Sequence, residues 1–140
     1  MPPLLFDSSV YITALRGIKD ALFSLQRLQQ TDTVWLSSVV LEELYAGVRP
    51  KDRHVVEALE RDFSKARRIV VPNQSDWAQT GKVLARLGAE YGYEQIGRGR
   101  LTNDALIAIS AGRLGIKVIT ANASDFERLA KFHSFAWSVF

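Results

Sequence analysis

Pro3-Leu4-Leu5-Phe6-Asp7-Ser8-Ser9 is an apolar run cut short by three residues of the helix-capping type, and the same figure recurs along the chain. Thr33-Val34-Trp35-Leu36 stops at Ser37-Ser38, Arg68-Ile69-Val70-Val71 stops at Pro72, and Ile116-Lys117-Val118-Ile119 stops at Thr120-Ala121-Asn122. Runs of this length, rich in β-branched and large apolar side chains and closed by capping or breaking residues, predict buried strands. Phe135-Ala136-Trp137-Ser138-Val139 is a weaker fifth. Between the runs the spacing becomes helical. Ala21, Leu22, Leu25 and Leu28 fall on one face of residues 19–30, and Val55, Val56, Leu59 and Phe63 on one face of a charged segment. A helix opening at the cap-type residue Ser75 carries Trp77, Val83, Leu84, Leu87 and Tyr91, and residues 103–114 are apolar nearly all round. Strands alternating with helices need crossover connections. The expectation is therefore one α/β domain over residues 1–140, a three-layer α/β/α sandwich on a mainly parallel sheet of four or five strands.

The composition narrows the chemistry. The chain has 140 residues, 47% of them hydrophobic and 24% charged, the balance of a soluble globular domain. It has no apolar run long enough to span a membrane and no signal-like start, so a cytoplasmic protein without membrane attachment is expected. There is no cysteine and there are only two histidines, which excludes thiol nucleophiles and thiolate metal sites. A bound metal must then rest on carboxylates.

In open parallel sheets, ligands bind beyond the carboxyl ends of the strands. Asp7 follows the first predicted strand, Asp125 comes shortly after the fourth, and Asp104 opens the apolar helix. Each also has a plain structural reading: Asp7 as cap of the helix through Val10-Tyr11-Ile12, Asp104 after a Thr102 cap, Asp125 after a Ser124 cap. Glu43 is a fourth candidate. On a helix from Val39 to Val48, Val40, Leu41, Leu44 and Val48 form the buried stripe; Glu42 points away from it and Glu43 lies at its border. Four carboxylates in one cleft repel and hold protons unless a cation compensates. Mg²⁺ or Mn²⁺ does so with oxygen ligands and water, and supplies metal-assisted phosphodiester hydrolysis without histidine or cysteine.

Four stretches together resemble the PIN-domain ribonucleases, and in particular the VapC-like toxins of toxin–antitoxin pairs. They are Leu5-Phe6-Asp7-Ser8-Ser9-Val10-Tyr11-Ile12, Ser38-Val39-Val40-Leu41-Glu42-Glu43-Leu44-Tyr45-Ala46-Gly47, Asn103-Asp104-Ala105-Leu106-Ile107-Ala108 and Val118-Ile119-Thr120-Ala121-Asn122-Ala123-Ser124-Asp125-Phe126. The resemblance implies that Asp7, Glu43, Asp104 and Asp125 are the catalytic, metal-holding acids. It places Ser9, where many relatives carry asparagine, beside the first aspartate, with Thr120 and Asn122 supporting the last. It further implies an Mg²⁺- or Mn²⁺-dependent endoribonuclease that hydrolyses RNA with a metal-activated water, forms a homodimer and is neutralised by a cognate antitoxin. Arg98 and Arg100, set among Gly97 and Gly99 just ahead of Asp104, are the candidate RNA-phosphate contacts. Tyr45, Tyr91, Tyr93 and Trp77 are weaker candidates for base stacking.

Two other functions stay open at this level. One is an aspartyl-phosphate domain, of signalling or phosphatase type, with Asp7 as nucleophile. Ser9 stands where such a phosphatase would carry a second aspartate, and Lys117 lies within a strand instead of at its end. The other is a PIN-like module that binds RNA or a partner without cutting. The net charge of +3 comes from 18 basic and 15 acidic residues; with the four candidate acids set aside in a cation-filled cleft, the rest of the chain carries +7.

Overall fold

The computed structural model describes residues 3–17, 33–94 and 101–140. Five strands form one parallel sheet: β1 Leu4–Phe6, β2 Val34–Ser37, β3 Ile69–Val70, β4 Lys117–Thr120 and β5 Trp137–Val139. Their spatial order is β3-β2-β1-β4-β5. Six α-helices are described: α1 Ser8–Leu15, α2 Ser38–Gly47, α3 Arg53–Lys65, α4 Gln74–Tyr91, α5 Leu101–Arg113 and α6 Ala123–Ala130. Helices on both faces of the sheet make the three-layer α/β/α sandwich of the sequence reading. The helix expected over residues 19–30 lies outside the described residues, and no described helix is long and apolar enough to cross a membrane.

The central strands carry near-continuous apolar runs because the sheet is covered on both faces, whereas the edge strand β5 is only half-buried or exposed. Leu4, Leu5 and Phe6 are all buried, and β1 pairs with β2 on one side (Leu5 opposite Trp35) and β4 on the other (Leu5 opposite Val118). The chain runs outward from β1 through β2 to β3, then crosses back to β4 and out to β5. The gap between β1 and β4 is therefore where the winding direction reverses, and a crevice opens at the carboxyl ends of strands flanking such a point.

Strand and helix boundaries agree with the sequence reading to within a residue or two; the caps do not. The α4 helix starts from Asn73, not Ser75, through a capping box in which the Asn73 side chain accepts from the Asp76 amide at 2.8 Å and Asp76 accepts from the Asn73 amide at 2.9 Å. Trp77 is 56% exposed, whereas Val83 and Leu87 of the same helix are buried. Thr102 lies inside α5, and Asn122 instead of Ser124 occupies the N-cap position of α6. The α5 helix ends with Gly115 at φ +70 while Ile116 N–H reaches back to the Ala111 carbonyl at 2.9 Å, the turn that feeds the chain into β4. At the start of α2 the fully buried Ser37 hydroxyl accepts from the Val39 amide at 3.1 Å. Ser37→Ala is expected to lower stability by about 1 kcal/mol in chemical denaturation, the usual cost of losing such a cap.

Candidate functional site

Asp7 leaves β1 at the reversal point, and its amide donates to the Ile119 carbonyl of β4 at 3.0 Å. It occupies the N-cap position of α1, yet its carboxylate makes no side-chain cap bond. Its two oxygens are held from both sides of the crevice, by α1 and by β4. Thr120 Oγ1, at the end of β4, donates to Asp7 Oδ2 at 2.7 Å, and the Ser9 hydroxyl donates to Oδ1 in a short hydrogen bond. The carboxyl group is buried, with only 3% of the residue exposed. Burial raises its pKa above the ordinary carboxylate value; the Ser9 and Thr120 hydroxyls, and the nearby Val10 and Ser9 amides, work in the opposite direction without undoing it.

The network continues along the rim. Thr120 Oγ1 accepts from the Asn122 amide at 2.9 Å, and Asn122 Nδ2 donates to Asp125 Oδ2 at 3.2 Å. Ser9 Oγ accepts from the Ala121 amide at 3.0 Å. Asp7 and Asp125 are thus tied together through Thr120 and Asn122, and Ser9 locks α1 to the turn after β4. Asparagine is not needed at position 9 for this, since a hydroxyl donates and accepts from one atom.

The other two acids arrive from different elements. Asp104 sits in the first turn of α5 and is buried. Glu43, half-buried on α2, accepts from Ser8 Oγ at 3.1 Å, whereas Glu42 is exposed. Beside Glu43 a groove of about 550 Å³ runs between α1 and α2, bounded by Ser8, Ile12, Leu44, Val48 and, at its far side, Asn103. The consecutive residues Asp7, Ser8 and Ser9 thus reach β4, α2 and the turn after β4.

The four carboxylates are not drawn into a closed cage: among the described residues, no group of three or more His, Cys, Asp or Glu side chains is arranged to hold a metal ion. The donors nonetheless fit a hard divalent cation. They are all oxygen, and Mg²⁺ is usually held by one or two carboxylates plus waters and substrate phosphates in place of an all-protein cage. A carboxyl buried at a crevice and biased toward its protonated form is a group that a cation would recharge.

The remaining candidates fall elsewhere. Arg98 and Arg100 lie outside the described residues. Tyr45 donates to Glu60 at 2.6 Å with the Arg53 guanidinium 5.5 Å from its ring centre, a clamp between α2 and α3. Tyr91 is covered by Arg128 of α6 and by Lys131, the residue that follows it. Trp77 and Tyr93 are exposed. Two groups escaped the sequence reading: Ser8, hidden among three similar residues, and the ion pair of Arg113 with Asp76, whose only linear signal is the Asn73-x-x-Asp76 box.

No functionally curated protein matches the chain. Among solved structures, its fold is similar to that of VapBC2 from Rickettsia felis bound to a DNA fragment from their promoter, with 23% identity, a TM-score of 0.67 and coverage of 99% of this chain and 98% of that one. It is similar to FitAcB from Neisseria gonorrhoeae at 22% identity and a TM-score of 0.68, covering 96% and 95% of the two chains. A third similar structure is VapBC-5 from Mycobacterium tuberculosis, a member of the VapBC family of toxin-antitoxin systems, at 21% identity and a TM-score of 0.59, covering 100% and 98%. Residues 4–132, from β1 to just beyond α6, match the sequence model of the PIN domain, and the chain belongs to the PIN domain family.

Proposed function

We propose that this chain is a divalent-metal-dependent endoribonuclease and the toxin of a toxin–antitoxin pair. The observation that carries the reading is the Asp7 carboxyl, buried at the sheet's reversal point and held there by hydroxyls from both sides, Ser9 of α1 and Thr120 of β4. Asp7, with Asp104, Glu43 and Asp125 on the surrounding elements, would hold Mg²⁺ or Mn²⁺. When bound, such an ion supplies charge neutralisation at the scissile phosphate and a more acidic water. Thr120 and Ser9 keep the Asp7 oxygens oriented, Asn122 does the same for Asp125, and Ser8 restrains Glu43. Because these side chains are fixed before substrate arrives, little reorganisation remains for the reaction step. The likeness to VapBC and FitAcB structures supports an antitoxin partner.

An aspartyl-phosphate reaction fits less well. Both Asp7 oxygens accept hydroxyl protons, and Lys117 opens β4 at the opposite edge from the crevice. The deciding experiment is cleavage of single-stranded RNA by purified protein in Mn²⁺ or Mg²⁺, with and without excess EDTA. Cleavage that stops in EDTA is expected; undiminished cleavage in EDTA, or none with either ion, rejects the assignment.

Arg98 and Arg100 enter this reading as phosphate contacts. Replacing both by alanine should weaken RNA binding most at low salt and flatten the slope of log K against log salt by about 1.4, since each contact to a single strand contributes about 0.7. An unchanged slope removes both residues from the RNA path.

A further inference from the structure

The α3 helix closes on an arginine at a position that suits glycine. The Arg67 amide donates to the Ser64 carbonyl at 3.1 Å and the Arg68 amide to the Phe63 carbonyl at 3.0 Å, the pair of bonds that ends a helix by turning the residue after its cap into the left-handed region. That residue is Arg67, at φ +56, and among the described residues no other non-glycine has a positive φ. The same chain closes α5 through the same pair of bonds with Gly115 at φ +70. An L side chain at such a φ is strained against its own backbone. No internal contact offsets this: Lys65, Arg67 and Arg68 are all exposed, and among the described residues no hydrogen bond or ion pair holds any of the three side chains. The acids nearest along α3 are engaged elsewhere, Glu60 with Tyr45 and Asp62 with Arg61 at 3.6 Å. The dipole of α3 favours a cation in its last turn, and Lys65 supplies one; Arg67 and Arg68 lie beyond that turn.

We infer that Lys65, Arg67 and Arg68 form a phosphate-contact patch for a single strand of RNA that continues into the crevice. This rests on the endoribonuclease reading above but on no metal contact. The β3 strand is two places from β1, about 10 Å across the sheet, and the register sets Ile69 opposite Leu36 and Leu5 opposite Trp35. Arg68 is thus two residues, about 7 Å, short of the level of Asp7, and a strand of a few nucleotides joins the two. Three cations within four residues, on a turn fixed by backbone hydrogen bonds, hold a phosphate chain without reading its bases.

The test is binding of labelled single-stranded RNA in EDTA over a series of salt concentrations, beside thermal melting of the same proteins. Changing Lys65, Arg67 and Arg68 together to alanine should flatten the slope of log K against log salt by about 2, since each contact to a single strand contributes about 0.7. Arg67→Gly should flatten it by about 0.7 and yet melt at or above the wild-type midpoint, because glycine relieves the left-handed turn; Arg67→Lys should keep the wild-type slope. An arginine with a purely structural role would do the reverse, losing stability with the slope unchanged. An unchanged slope in the triple variant, or a change seen with duplex DNA but not with RNA, overturns the proposal. If only the endoribonuclease reading fails, the wild-type protein binds RNA through this patch and cleaves none in Mn²⁺ or Mg²⁺; a wild-type protein that binds no RNA overturns both.

Discussion

Asp7→Asn removes RNA cleavage and at the same time makes the metal-free protein more stable at neutral pH. The loss should be at least about 10²-fold, because on the proposed reading the carboxylate anchors a cation whose charge stabilisation is worth several kcal/mol. The gain follows from burial. The Asp7 pKa is raised in the folded protein, so the folded state keeps a proton that the unfolded chain has released. Stability therefore falls as pH rises from the unfolded value of 3.8 through the raised folded value, and stays lower above it. Asparagine carries no charge to desolvate, and its amide can accept from one of the Ser9 and Thr120 hydroxyls and donate to the other. Thermal melting across pH should show the wild type losing stability over this window and the variant lacking that component. Mn²⁺ should raise the wild-type midpoint and leave the variant nearly unmoved, since only a protein that binds the ion gains from it. Full cleavage by the variant, or the same pH dependence in both proteins, sinks the role given to Asp7.

The second large effect lies at the other end of α5. Arg113 holds Asp76 with its Nε at 3.0 and 3.1 Å from the two carboxylate oxygens and its Nη2 at 3.0 Å from Oδ2, while Asp76 also closes the α4 capping box. Asp76 is 2% exposed, whereas the Arg113 side chain is 35% exposed. The asymmetry decides which substitution hurts more. Asp76→Ala leaves a guanidinium that can return to water, but Arg113→Ala strands a carboxylate that cannot. Breaking a buried pair in that way costs about 3–5 kcal/mol, and the partial exposure of Arg113 places the expected loss near the lower figure. For a chain of this length that is a fall in melting midpoint of about 10 °C. The double variant should lose less than the sum of the two single losses. Arg113 is nine residues from Asp104, about 13 Å along the helix, so RNA cleavage at low temperature should survive. A midpoint within two degrees or so of wild type would show that the latch contributes little.

Ser8, Asp76 and Asn122 show where linear reading stopped. The strands were legible because burial on both faces leaves an unbroken apolar run, and Glu43 was separable from Glu42 because helical periodicity puts one at the border of the stripe and the other in water. Cap assignment was less secure. Ser75 and Ser124 have cap chemistry, but so do Asn73 and Asn122, from which the helices start, and residue type alone does not choose between them. Asp7 is the sharper case. Its position before α1 predicts a cap, and it does occupy that position, yet its carboxylate is taken by Thr120, 113 residues away.

By itself the sequence determined the alternation of strand and helix, the oxygen-only donor set and the four acids offered for it. Those properties belong to local spacing and residue type, which a chain carries whether folded or not. Tertiary structure alone decided the strand order that puts β1 beside β4, the hold of Thr120 on the Asp7 carboxylate, and the grip of Ser8 on Glu43. Each depends on which distant donor arrives within about 3 Å, and hydrogen-bond strength falls too steeply with distance for spacing along the chain to stand in for proximity.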